Sequence, residues 1–156
     1  MSKDKERFSK NISISNKRAK FEYSFIDTYI AGIVLSGTEI KSIRQGNVNL
    51  QDAFCVFVGQ KLISKEINIS AYKEGTHYNH SAKRDRILLL KKAELRKLQE
   101  KSEEKGLTIT VSKLFINDRG FAKLEIALAK GKKLFDKRED IKARDVDRDM
   151  RRELGK

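Results

Sequence analysis

The sequence predicts a mainly β protein: a small antiparallel barrel of six short strands, with two inserted helices and a basic C-terminal tail. Three observations carry that expectation. Short apolar or alternating runs recur between turn-forming Gly, Asn and Asp, the mark of short strands. Only two segments before the tail place apolar residues at helical spacing, and no strand–helix–strand rhythm appears, so a doubly wound sheet is not expected. Past Ala129 the pattern breaks: residues 130–156 hold 11 Lys and Arg against 7 Asp and Glu, with few large apolar side chains.

Each element follows in chain order. Residues 1–12 are polar and charged and are expected to lack fixed structure. "FEYSFI" (21–26) places Phe21, Tyr23 and Phe25 on one strand face, and "IAGIVL" (30–35) reads as the next strand. In "SGTEIKSIRQG", Ser36 and Glu39 have capping-box spacing, Ile40 and Ile43 share a helical face, and Gly46 can stop the turn. "DAFCVFVGQKLISKEINI" reads as a hairpin turning near Gly59 and Gln60. Residues 70–86 form a long loop ending in a basic cluster. "LLLKKAELRKLQEKSEEKG" is a helix with Leu90, Leu95 and Leu98 inward and Gly106 at its end. "LTITVSKLFI", the turn "NDRG" and "FAKLEIALA" make a second hairpin. Six such strands with two helices fit a small, partly open OB-like barrel. The expected organisation is residues 1–12 unstructured, 13–131 barrel and 132–156 tail.

The length of 156 residues suits one domain with its own core. The single cysteine rules out an internal disulfide and suits a reducing cytoplasm. No apolar run approaches 18 residues, and the basic N-terminus is followed by no apolar stretch, so neither a membrane span nor a secretory signal is expected.

Charge is the strongest global signal. The net charge is +13, and a domain this basic meets a polyanion, with nucleic acid the default. Four clusters flank the predicted elements: "NKRAK" (16–20), "EIKSIR" (39–44, with Lys41 and Arg44 on one face), "KRDR" (83–86) and "KGKK" (130–133). Any one could be a solvated edge; four together favour an extended RNA-binding face. In the tail, Val146, Met150 and Leu154 recur every four residues, a stripe too narrow for a core. Asp140 with Arg144 and Asp147 with Arg151 have i, i+4 pairing distance. A helix of this length is marginal alone, so the tail is expected to be flexible when free and helical once a partner surrounds it.

Enzymatic signals are missing. His77 and His80 have no third metal ligand nearby and are expected to meet RNA or solvent. Cys55 reads as a small core residue. Carboxylates are scattered, and no phosphate-cradling glycine loop or nucleophile elbow is present. No enzyme, metal or cofactor is expected. Two rival classes are a translation-associated RNA-binding protein of another kind and a nuclease, the latter lacking clustered carboxylates.

"NKRAKFEY", "AGIVLSGTEIKSIRQG", "RDRILLLKK" and "AKGKKLFDKRED" stand in the order of the motifs of the SmpB family, which the chain resembles from Asn16 to Arg152. The resemblance implies an OB-like barrel that binds the tRNA-like domain of tmRNA (SsrA RNA) and brings it to stalled ribosomes, with the tail in the decoding centre and empty mRNA channel. The protein would be a cytoplasmic monomer. The implied tmRNA-binding residues are Asn16, Lys17, Arg18, Lys20, Glu39, Lys41, Arg44, Arg84, Arg86, Leu89, Lys130, Lys132 and Lys133. The implied tail residues are Phe135, Asp136, Lys137, Arg138, Lys142 and Arg144. Phe135 stands where the family often has His or Tyr, so only a stacking role carries over. Ile30 stands where many members have a glutamate implicated in RNA binding, so that contact is absent or replaced here.

Overall fold

The computed structural model describes residues 12–75, 79–104 and 106–154, without the side chains of 134–136 and 152–154. The expectations for residues 1–11, for His77 and for the side chains of Phe135 and Asp136 lie outside the described residues. The elements are β1 (Ser13–Ser15), α1 (Lys17–Glu22), β2 (Tyr23–Ile33), α2 (Gly37–Arg44), β3 (Val48–Asn49), β4 (Phe54–Val58), β5 (Lys61–Lys65), β6 (Asn68–Ile69), β7 (Arg86–Leu89), α3 (Lys92–Ser102), β8 (Leu107–Ile116), β9 (Ala122–Gly131) and α4 (Leu134–Leu154).

Six strands close a ring. The order β8-β4-β5-β7-β2-β9 is completed by the pairing of β9 with β8, and every pairing is antiparallel. β1 lies along the free part of the β8 edge, and β3 and β6 form a separate two-stranded pair. Closure removes most open edges, and the ring encloses Ala31, Leu62, Leu88, Val111, Leu114, Leu124, Ile126 and Leu128. A bulge at Ser112, where β8 slips against β9 between Val111 and Lys113, switches the inward parity. That switch lets Ile109 and Val111 on one side of the bulge and Leu114 and Ile116 on the other all enter the core.

The six-strand barrel agrees with the sequence, but two of its strands differ. The runs 21–26 and 30–35 are one strand, β2; the bulge at Ile26 and the Asp27–Lys101 ion pair at 2.5 Å absorb the polar residues that read as a break. The sixth strand is β7, in a segment that reads as the start of a helix. Its alternation is hidden, because Arg86 and Leu88 point inward while Ile87 and Leu89 face out. Phe21 belongs to the short helix α1, not to a strand. α3 is shorter than expected, with Leu98 fully buried and Leu90 and Leu95 partly so. The hairpins turn where expected: Gly59 and Gly120 have φ of +64° and +86°, the left-handed region that glycine enters at no steric cost. Cys55 is buried, and burial pushes its thiol well above the usual range.

The tail is a helix in the chain alone. The Asp147–Arg151 pair is present at 3.0 Å, but Asp140 bonds Lys132 and Arg144 lies over the Phe21 ring, so the expected Asp140–Arg144 pair is replaced by contacts to the body. No helix among the described residues is long and apolar enough to cross a membrane.

Candidate nucleic-acid interface

β2 carries one basic pole at each end. Its register with β9, Tyr23 opposite Gly131 and Gly32 opposite Lys123, puts α1, the end of β9 and α4 at one end, and α2 with the 117–121 turn at the other. The poles lie about 35 Å apart, the length of an eleven-residue strand.

At the first pole, Asn16 caps α1: its Oδ1 accepts from the Ala19 amide at 3.2 Å. Its amide nitrogen donates to the Leu50 and Val111 carbonyls at 2.7 and 2.9 Å, and its backbone N–H donates to Ser112 at 2.8 Å. The bulge thus leaves two carbonyls that Asn16 satisfies. Its side chain is buried and fully bonded, so it offers nothing to a partner directly. What it does is aim α1, whose Lys17 and Lys20 are exposed. Arg18 is tied down by Glu22 at 3.1 Å and Asp52 at 2.9 Å, and the hydrogen bond and charge of Glu22 raise its guanidinium above the ordinary value.

The structure brings "NKRAK" and "KGKK" together. The Lys132 backbone N–H donates to the Glu22 carbonyl at 2.8 Å, and its Nζ donates to the Lys20 carbonyl at 3.0 Å and pairs with Asp140. Lys130 and Lys133 remain exposed, with no ion pair among the described residues. α4 leaves from here, and the Lys137 ammonium and Arg144 guanidinium sit 5.9 and 5.0 Å from the centre of the Phe21 ring. Arg138 and Lys142 are exposed.

At the second pole a buried ion pair, Glu39 with Arg86, underlies the exposed charges. Both halves of the Ser36–Glu39 capping box are formed. Glu39 is fully buried, with one carboxylate oxygen accepting from Arg84 and the Ser36 amide and the other from Arg86. Arg86, equally buried, also donates to the carbonyls of Ile67 at 2.8 Å and Ala82 at 3.0 Å. Burial alone would raise the Glu39 carboxyl; the hydrogen bonds from Arg84, Ser36 and Arg86 outweigh it and bring it down to about 2. Burial lowers the Arg86 guanidinium, and Glu39 opposes that effect. Sequence reasoning placed Glu39 and Arg86 on an RNA-facing surface; the structure puts both inside, as the pin that holds α2 to the barrel. Only Ser36–Glu39 spacing hinted at it.

With α2 pinned, Lys41 projects outward over Tyr72, 5.5 Å from its ring centre. Arg44 is half-buried and donates to the Gly120 carbonyl at 3.5 Å. His80 is partly buried, with both ring nitrogens engaged within the chain. Its Nδ1 lies 2.9 Å from the Thr38 hydroxyl and its Nε2 2.8 Å from the Ile69 carbonyl, tying the long loop to α2. Leu89 is on the outer face, 59% exposed, beside Ile30 at 49%. Gly32, opposite Leu89, leaves the gap between them open: a Cβ there would stand 3.5 Å from that of Leu89. Among the described residues, no group of three or more His, Cys, Asp or Glu could hold a metal ion.

Comparison with known proteins returns one family. Residues 13–156 match the family described as SmpB protein. A relative from Cytophaga hutchinsonii, named SsrA-binding protein, is 56% identical over 143 residues, covering 92% of this chain and 94% of the relative. One from Phocaeicola vulgatus with the same name is 57% identical over 141 residues, covering 90% and 94%. Among solved structures, a chain described as "tmRNA-SmpB: a journey to the center of the bacterial ribosome" superposes with a TM-score of 0.68 at 42% identity, covering 79% of this chain and 86% of that one.

Proposed function

The chain belongs to the SmpB protein family, and from that premise we propose that it binds the tRNA-like domain of tmRNA and delivers it to stalled ribosomes in the cytoplasm, as a monomer without cofactor or catalysis of its own. The relatives' name, SsrA-binding protein, supports the RNA, and the ribosome enters through the description of the solved neighbour. The observation that carries the reading is the joining of the 16–20 and 130–133 segments through Lys132. Two clusters 112 positions apart become one basic surface.

In this reading Lys17, Lys20, Lys41, Arg44, Lys130 and Lys133 meet phosphates, with Arg18 and Arg84 at their edges, and Leu89 gives an apolar contact in the groove beside Ile30. Asn16, Glu39, Arg86 and Lys132 act one step back, by aiming α1 and α2. Each phosphate contact releases counterions, so affinity falls steeply with salt. The tail acts in the decoding centre and mRNA channel: Phe135 stacks, and Asp136, Lys137, Arg138, Lys142 and Arg144 meet ribosomal RNA. As a helix of 21 residues it reaches about 30 Å.

The test removes residues 134–156. The barrel closes without them, so folding and most tmRNA affinity remain, while peptide tagging on a message lacking a stop codon is lost. A truncated chain that tags at the full rate overturns the tail's role, and a full-length chain that fails to retain tmRNA overturns the whole reading.

A further inference from the structure

A cleft of about 420 Å³ opens at the second pole, between α2 and the turn joining β8 to β9. Its apolar wall is Ile33, Leu35 and Ile40, and its rim carries Arg44, Arg119 and Phe121. Of these only Ile40 and Arg44 belong to the clusters already described. Phe121 is 65% exposed, the most exposed large apolar side chain among the described residues of the barrel. The turn that carries it is built to hold still. Asn117 Oδ1 accepts from the amides of Arg119 and Phe121 at 3.1 and 2.9 Å, the Asn117 amide donates to the Phe121 carbonyl at 2.9 Å, and Gly120 takes φ +86°. Arg44 holds the other side through the Gly120 carbonyl.

Neither Arg44 nor Arg119 has an ion-pair partner among the described residues, although Asp118 stands in the same turn. A rigid aromatic ring held out to solvent serves no core. Flanked by two guanidinia over an apolar wall, it has the parts that take an unpaired nucleotide: a face for the base and donors for the phosphates on either side. An acidic peptide would use the arginines but leaves the ring unexplained. We propose that this cleft receives a looped-out nucleotide of tmRNA, with Phe121 stacking on the base and Arg44 and Arg119 meeting the adjoining phosphates. The choice of tmRNA over ribosomal RNA rests on the function proposed above, because Arg44 continues from the α2 surface assigned to that RNA.

The chain has no tryptophan, so Phe121→Trp places a single fluorophore in the cleft while keeping a stacking face. The tRNA-like domain of tmRNA, transcribed in vitro, is titrated into wild type, Phe121→Trp, Phe121→Ala and Arg119→Gln. Phe121→Ala is expected to bind about tenfold to a hundredfold more weakly at an unchanged melting temperature. Phe121→Trp keeps wild-type affinity, its emission quenched on binding, and Arg119→Gln binds more weakly with a shallower salt dependence. Wild-type binding with no loss in Phe121→Ala and no quenching in Phe121→Trp overturns the cleft alone. Loss of ribosome binding with tmRNA affinity intact moves the site to ribosomal RNA and overturns it equally. A wild-type chain that ignores the transcript overturns the tmRNA reading itself.

Discussion

At the α2 end of the barrel, two arginines share one buried carboxylate, and the helix bearing Lys41 and Arg44 is held by the fully buried Glu39 and Arg86, with Arg84 closing the network from the surface. At the α1 end, Lys132 is joined to Lys20 and Glu22 by backbone acceptors, and the tail rests on one aromatic ring through the half-buried Lys137 and the exposed Arg144. Both ends present lysines to the same kind of partner, yet they differ in how far they can yield. A buried ion network has one good geometry and a large penalty for losing a member. Surface pairs and cation–π contacts are each worth about 1 kcal/mol or less, and they can exchange for contacts with RNA phosphates. A fixed platform at one end and a releasable arm at the other suit a protein that must hold one RNA while entering another.

Glu39 is where the comparison breaks most sharply. Glu39→Ala leaves Arg86 charged and buried without its partner, which costs about 3–5 kcal/mol and lowers the melting temperature by roughly 6–20 °C. Urea unfolding checks it, and an unchanged midpoint means that the network does not hold α2. The acid limb gives a second reading of the same group. The folded-state pKa of Glu39 is about 2 against an ordinary 4.5. A depressed carboxylate adds stability that is complete above the unfolded value and fades as pH falls toward the folded one. The wild-type advantage over Glu39→Gln is therefore full at neutral pH and shrinks between about pH 4.5 and 2.

Asn16 ranks next, because its loss strands neutral groups instead of a charge. Asn16→Ala removes the cap, worth ~1 kcal/mol, and leaves the Leu50 and Val111 carbonyls without their donor, for a total of about 2–3 kcal/mol. Asn16→Asp sharpens the cause. It keeps the cap acceptor but sets a carboxylate against two carbonyls, so it is expected to be no better than Ala by thermal unfolding. An Asp variant as stable as wild type would assign the whole effect to the cap.

The two ends were not equally legible in the sequence. The capping box, the second hairpin and the residues of the basic clusters could be read from spacing, since each depends on neighbours a few positions away. Arg86 could not: as the last residue of the "KRDR" cluster before "ILLL" it reads as part of an RNA-facing edge, and Glu39, 47 positions upstream, makes its burial tolerable. That hidden pair also concealed β7, because the strand's inward face begins with a charge. Asn16 reads as a surface residue for a similar reason, its acceptors lying 34 and 95 positions away. The cleft of Phe121 was equally out of sight, since its walls come from β2, α2 and a turn that only the closed ring brings together. The basic surface was visible as composition, and what aims it was not.

Phe21 gives the smallest effect and the finest test of the contrast. Its ring is the seat on which Lys137 and Arg144 rest, and residues 141–151 are otherwise exposed throughout. An isolated helix of this length is marginal in water, so a contact of about 1 kcal/mol decides whether its middle turns stay formed. Phe21→Ala should leave the unfolding midpoint of the barrel nearly unmoved, because the ring is only partly buried, while amide hydrogens between residues 138 and 151 exchange about threefold to tenfold faster. Lys132→Met, which removes the bond to Asp140, should speed the first turns and spare the last. If exchange along the helix is the same in all three chains, the tail is held by its own i, i+4 pairs, and the α1 end is no more a releasable seat than the α2 end is. If Phe21→Ala instead unfolds the barrel, the ring belongs to the core and the two ends are built alike.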